Sequence, residues 1–113
     1  MSLNLSLEPE IFGTFQPEPD TLTTIALIPE GRAGHVTVFI TNNQTVEDRV
    51  RLLLQPALQS ITDAQYILYD TLVPEGFPVY SGNVFVNSGD QIVAYSQLGA
   101  VAFTISGTAF VYS

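Results

Sequence analysis

The stretch 84-VFVNSGDQIVAYSQLGAVAFTISGTAFVY-112 decides the fold. Val, Ile, Phe, Tyr and Thr dominate it, the residue types that fit a pleated, half-buried surface. Asn87-Ser88-Gly89-Asp90 and Leu98-Gly99 are turn signals that divide it into three strands. Val101, Phe103 and Ile105 alternate with Ala102, Thr104 and Ser106, the period of a strand with one buried face. Gly107 interrupts that pattern, and Ala109, Phe110, Val111 and Tyr112 continue it with apolar residues on both parities. A lone glycine in a strand predicts a bulge. The last strand is therefore expected either to run across both sheets of a sandwich or to lie along a subunit contact, with Phe110 and Tyr112 as contact residues.

Upstream, strands recur at short intervals. Thr21–Ile28 ends in Pro29-Glu30-Gly31, where Pro and Gly suit the central positions of a turn and Gly31 is expected at positive φ. In Gly34–Asn42, Val36, Val38 and Ile40 share one face, and His35, Thr37, Phe39 and Thr41 the other. After the polar turn Asn42–Thr45, Asp48–Gln55 places Val50, Leu52 and Leu54 inward and Arg49, Arg51 and Gln55 outward. Pro56–Asp63 is a longer connection expected to hold Ala57, Leu58 and Ile61 against the core, and a single helical turn fits between Ala57 and Ile67. Gln65–Val73 is a strand ending at Pro74-Glu75-Gly76, with Gly76 again expected at positive φ, and Pro78–Asn87 opens the C-terminal block. No helix-period stripe of useful length competes. The prediction is an all-β chain: a two-sheet antiparallel β-sandwich, jelly-roll-like, of about eight strands with an extended N-terminal arm.

Two fragments echo each other. Ile28-Pro29-Glu30-Gly31 returns as Val73-Pro74-Glu75-Gly76, and Val38-Phe39-Ile40 as Val84-Phe85-Val86. Two similar strand–turn–strand units suit a sandwich with equivalent elements in each half.

Residues 1–20 read as a separate arm before a sandwich domain of 21–113. Leu3, Leu5 and Leu7 alternate with polar residues, and Pro9, Pro17 and Pro19 then break the segment. Ile11, Phe12 and Phe15 are too apolar for a solvated tail. The arm is expected to dock either on its own domain or on a neighbour, and its leucines suit addition to a neighbour's sheet edge.

At 113 residues there is room for one core, which buries roughly 65% of the surface exposed by the unfolded chain. Cysteine is absent, so disulfides, thiol nucleophiles and thiolate metal sites are excluded. Eleven acidic residues face three arginines and no lysine, a net charge of −8. That balance repels nucleic-acid phosphates and anionic membrane surfaces, so neither is an expected partner; the same charge also favours solubility. No apolar run approaches the ~20 residues of a membrane span, and the N-terminus lacks the pattern of a signal peptide. Synthesis in the cytoplasm as a soluble chain is expected.

Chemistry is thinly represented. His35 is the only histidine, and no G-x-S-x-G, P-loop or G-x-G-x-x-G accompanies it. The acid pairs Asp63/Asp70 and Glu75/Asp90 are not expected to act as a glycosidase-type pair, since carboxylates on loops are ordinarily solvated. A calcium site from Asn87 and Asp90, or Glu47 and Asp48, lacks the D-x-D-x-D-G run of a dedicated loop. No catalytic residue, cofactor or metal is expected, and the chain is not expected to be an enzyme. Of Arg49 and Arg51, on one parity of one strand, at least one is expected to meet a carboxylate of this chain or of a partner. The five tyrosines could form a sugar-stacking or partner-binding surface or serve as ordinary sheet residues, and Tyr66 and Tyr69 fall on opposite strand parities.

The order of turns resembles the small β-sandwich virion proteins of tailed bacteriophages, of the capsid decoration (cement) or tail-fibre-associated type. The resemblance rests on Thr23-Thr24-Ile25 leading into Ile28-Pro29-Glu30-Gly31-Arg32-Ala33-Gly34, then Asn42, Thr62-Asp63-Ala64-Gln65-Tyr66 with Asp70, Val73-Pro74-Glu75-Gly76, and Asn87-Ser88-Gly89-Asp90. It spans about Thr21 to Tyr112 and leaves the arm outside. It implies a structural virion role: a decoration protein on the capsid exterior, homotrimeric, partnered by the major capsid protein or another virion protein. The arm residues Leu3, Leu5, Leu7, Ile11, Phe12 and Phe15, with Arg49, Arg51, Phe110 and Tyr112, are the expected interface. The rival expectation is a receptor- or carbohydrate-binding module of a tail fibre or spike, with exposed tyrosines grouped together.

Overall fold

Period-2 apolar residues become strands wherever a second sheet is available to cover them. The computed structural model describes residues 6–111, and the side chains of 13–108. Nine strands follow in order: β1 Ser6–Phe15, β2 Thr23–Leu27, β3 Arg32–Asn42, β4 Asp48–Gln55, β5 Tyr66–Val73, β6 Val79–Tyr80, β7 Val84–Val86, β8 Gln91–Ser96 and β9 Val101–Val111. A single 3₁₀ turn, Asp63–Gln65, precedes β5. One sheet has the order β1-β9-β3-β6, with β7 also beside β3; the other runs β2-β8-β4-β5. Every pairing is antiparallel. With β6 and β7 taken as one strand interrupted at Ser81-Gly82-Asn83, each sheet has four strands in jelly-roll order. Ser81 bridges the interruption: its amide donates to the Val38 carbonyl at 3.0 Å and its Oγ accepts the Val38 amide at 2.9 Å.

The core lies between the sheets. Val36, Val38 and Ile40 of β3 and Val101, Phe103 and Ile105 of β9 meet Val50 and Leu52 of β4, Val73 of β5, and Ile92 and Ala94 of β8. The echoed fragments occupy equivalent places. Each Pro-Glu-Gly turn leads from an edge strand of one sheet, β2 or β5, into the other sheet at β3 or β6. Gly31 and Gly76 both have positive φ, 79° and 75°, as those turns require.

Four expectations are corrected. The arm is not separate from the sandwich: Ser6–Phe15 is the edge strand β1, paired with β9 of its own chain from Ser6↔Val111 to Phe15↔Phe103. Proline is tolerated at Pro9 because β1 has a free side. The last strand stays within one sheet, between β1 and β3, and its pairing with β3 runs without a shift through Val36↔Gly107. The bulge lies instead on β1, between Ile11 and Gly13. Leu58 is fully exposed with φ +62°, at the tip of a turn closed by the Gln59 amide and the Pro56 carbonyl, and Ile61 is also exposed. Finally, Leu53, on the outward parity of β4 and opposite Val93 of β8, is fully buried, whereas the inward Leu54 is only partly buried against the core.

Gly107 has a different reason from the expected bulge. A Cβ there would sit 2.3 Å from the His35 carbonyl oxygen and 2.8 Å from the Val36 Cα, both backbone atoms of β3. Gly107→Ala is therefore expected to push β3 and β9 apart and cost about 2 kcal/mol. A urea unfolding midpoint unchanged from wild type would contradict this.

Candidate functional site

The outer face of the β2-β8-β4-β5 sheet carries the densest group of functional side chains. Arg51 stands opposite Tyr95 of β8 and, on its other side, opposite Tyr69-Asp70 of β5, where two residues of β5 face one of β4. Asp70 takes φ +48° at this irregularity, a conformation that aspartate tolerates better than most residues. A second shift, at Ile67, separates Tyr66 from Leu68. The two shifts undo simple alternation: Tyr66 and Tyr69 lie on one face, in contact, with ring centroids 4.9 Å apart and planes at 88°.

A row of side chains results, running Tyr95, Arg51, Tyr69, Tyr66. The Arg51 guanidinium lies 4.4 Å from the Tyr69 centroid and 4.8 Å from that of Tyr95, so one cation is shared by two rings. Its Nε donates to Asp70 Oδ1 at 2.6 Å, and this bond raises the guanidinium pKa further above its ordinary value. Arg49 donates from Nη1 to the Asp70 carbonyl at 3.2 Å. The expected meeting of at least one of these arginines with a carboxylate is thus made within the chain, by Arg51. Both members of the ion pair remain partly exposed, so its contribution to stability is ~1 kcal/mol at most. Its effect is geometric, holding Tyr69 in place.

Tyr95 is tied at its other end. Its hydroxyl donates to Asp20 Oδ1, and the Asp20 amide donates to the Ser96 carbonyl at 2.9 Å. The bond to Asp20 raises the Tyr95 pKa, with Arg51 opposing the rise. Because the folded value lies above that of the unfolded chain, this contact stabilises below pH ~10 and its contribution is lost as pH rises through the raised value. Asp20→Asn is expected to return the phenol toward the ordinary tyrosine range, measurable by tyrosinate absorbance against a Tyr95→Phe control. An identical titration in the Asn variant would contradict it.

Beside Tyr69, Asp63, Tyr66 and Tyr69 line a hollow of about 440 Å³. Asp63 sits on the 3₁₀ turn, which Gln65 secures through a bond from Nε2 to the Ser60 carbonyl at 2.9 Å and one from the Thr62 amide to Oε1 at 3.2 Å.

The other sheet's outer face is different. His35 and Phe39 of β3 stand opposite Phe85 and Tyr80, and the paired rings meet edge to face at 6.2 and 5.0 Å. Phe85 is 76% exposed, Tyr80 55% and nearby Phe77 69%. Thr14, Thr37, Thr104, Ser106 and Thr108 also lie on this face, with Thr14 and Thr104 hydroxyls 3.0 Å apart. Among the described side chains this face carries no carboxylate and no arginine.

Asp70 belongs to Arg51, whereas Asp90 is buried and accepts the Ala57 amide at 3.1 Å and the Asn87 amide at 2.8 Å. Among the described residues no group of three or more His, Cys, Asp or Glu is placed to hold a metal.

The expected interface residues are dispersed. Leu3, Leu5 and Tyr112 lie outside the described residues. Leu7, Ile11 and Phe12 are on β1 and Phe110 on β9, opposite Leu7 and Ala33, with side chains outside the description. Phe15 is half-buried against the core of its own chain. Tyr80 was among the tyrosines weighed as a partner-binding surface; the residues that sequence reasoning passed over, Phe77 and Phe85, carry their signal only once β6 and β7 are placed on an edge. No family model, curated protein or solved structure matches the chain.

Proposed function

We propose that the chain is a non-enzymatic structural protein of a tailed-phage virion, a decoration protein that ties capsid subunits together on the outside of the head. The observation that supports this best is the outer face of the β1-β9-β3-β6 sheet. A chain of net charge −8 that gathers Phe77, Tyr80 and Phe85 on and around a face with no carboxylate among its described side chains has a surface suited to being covered. Acidic surface elsewhere suits the exterior of a head better than the wall facing packaged DNA. Trimeric assembly would make each further contact intramolecular and multiply weak ones. The test is the copy number per virion, by quantitative mass spectrometry, with cryo-electron microscopy of heads stripped of the protein and then incubated with it. Hundreds of copies and restored density on the head exterior are expected. A few dozen copies confined to the tail would refute the placement.

The second reading is a receptor- or carbohydrate-binding module of a tail fibre or spike. Its support is the grouping of Tyr66, Tyr69 and Tyr95 on one face, with Tyr69 57% exposed. A glycan array separates it from the first.

A further inference from the structure

We infer that the hollow formed by Asp63, Tyr66 and Tyr69 receives a cationic side chain, a guanidinium or an ammonium, presented by a partner protein. The chain shows the same recognition with its own residues. Arg51 lies over two phenol rings, 4.4 and 4.8 Å from their centroids, and its charge is met by Asp70 at 2.6 Å. The hollow offers the same ingredients one step along the row: two tyrosine rings 4.9 Å apart and a carboxylate, Asp63, on its rim. A cation over a tyrosine face is drawn by the ring quadrupole, and more strongly where a carboxylate is near.

The rings are held before any ligand arrives. Tyr69 is braced by Arg51 and crossed at 88° by Tyr66, so little rotamer freedom remains to be lost on binding. Tyr69 is nevertheless 57% exposed, because Arg51 covers only part of it. The volume, about 440 Å³, admits a guanidinium with part of its stem.

Charge selects among ligands. The lining holds a carboxylate and no cation of this chain, which has three arginines and no lysine in all. A net charge of −8 attracts basic partners and repels acidic ones. A neutral sugar could stack on the same rings but would gain nothing from that field. The inference names the chemistry of the partner under the proposed binding role, and it does not depend on where in the virion that partner sits.

The experiment is an amide and aromatic NMR titration of the full chain with N-acetyl-arginine amide, and in parallel with methyl glucoside and methyl galactoside. Shifts confined to Asp63–Asp70 and the two tyrosine rings, saturating with the arginine probe and weakened by added salt, are expected. Asp63→Asn, a substitution on an exposed turn, should weaken binding about fivefold, and Tyr66→Ala at least as much. No localised shift with the cation, shifts with the sugars alone, or equal binding by the Asp63→Asn variant would each overturn the inference. The virion copy number is a separate readout, so either result can fail without the other.

Discussion

A chain beginning at Pro19 is expected to lose its cooperative fold, not merely its capacity to assemble. An arm that docked only on a neighbour could be removed without harm, but Ser6–Phe15 is β1, hydrogen-bonded along β9 of its own chain. Its removal would strip one side of β9, an eleven-residue strand, and turn it into an unpaired sheet edge. Phe15, packed against the core beside Phe103, would go with it, as would Pro17, which is buried. So would the bond from Gln16 Nε2 to the Gly99 carbonyl at 2.8 Å, which ties the segment after β1 to the turn between β8 and β9. A domain of this size is stable by only ~5–15 kcal/mol, and an edge strand of ten residues with an aromatic anchor is a large part of that margin. The truncated chain should show no sharp thermal transition and should associate through the exposed edge of β9. A monodisperse product melting within a few degrees of the full chain would show that β1 contributes little, and would return the segment to the role of a docking arm.

How far the sequence could be read depended on where alternation was the whole story. β3 and the first half of β9 alternate strictly, and their inward residues Val36, Val38, Ile40, Val101, Phe103 and Ile105 are all core. The Pro-Glu-Gly turns carry their own chemistry, and both glycines have the expected positive φ. β5 was opaque because its irregularities reside in pairing with β4: the extra residues at Ile67 and at Tyr69-Asp70 change which side chains share a face. An aspartate at positive φ is the one local hint of this, and it is visible only with hindsight about the partner strand. β1 was misread because prolines mark an edge and a tail equally well. Gly107 was misread because close approach of a neighbouring backbone and a bulge both demand the same residue, and only the 2.3 Å gap to the His35 carbonyl separates them. The candidate site was hardest, since Arg51, Asp70 and the three tyrosines come from three strands whose order the sequence does not state.

Asp48→Ala is expected to destabilise the protein by about 3–4 kcal/mol, a fall of roughly 15 °C in Tm. In sequence, Asp48 is an ordinary acid beside a turn; in the fold it is 1% exposed and saturated with donors. Its Oδ1 accepts the Arg49 amide at 2.8 Å and the Leu98 amide at 2.9 Å. Its Oδ2 accepts the Ala100 amide at 3.1 Å and the Ser96 hydroxyl, while Ser96 Oγ in turn accepts the Gly99 amide at 2.9 Å. One carboxylate therefore closes the turn between β8 and β9, and alanine would leave those donors without their acceptor in a site nearly closed to water. Asp48→Asn should fall between: its remaining carbonyl oxygen can keep two amides, but its NH₂ would face the Ala100 amide, donor against donor. Ser96→Ala, which removes one hydroxyl from the same network, should cost less than either. The turn also bears on the outer-face row, because the Ser96 carbonyl accepts the amide of Asp20, whose carboxylate holds Tyr95. Asp48→Ala should accordingly lower the Tyr95 phenol pKa toward the ordinary value while the chain is still folded. Unfolding free energies within 1 kcal/mol of wild type, or an unshifted Tyr95 titration in the folded variant, would show that Asp48 does not organise this end of the sandwich.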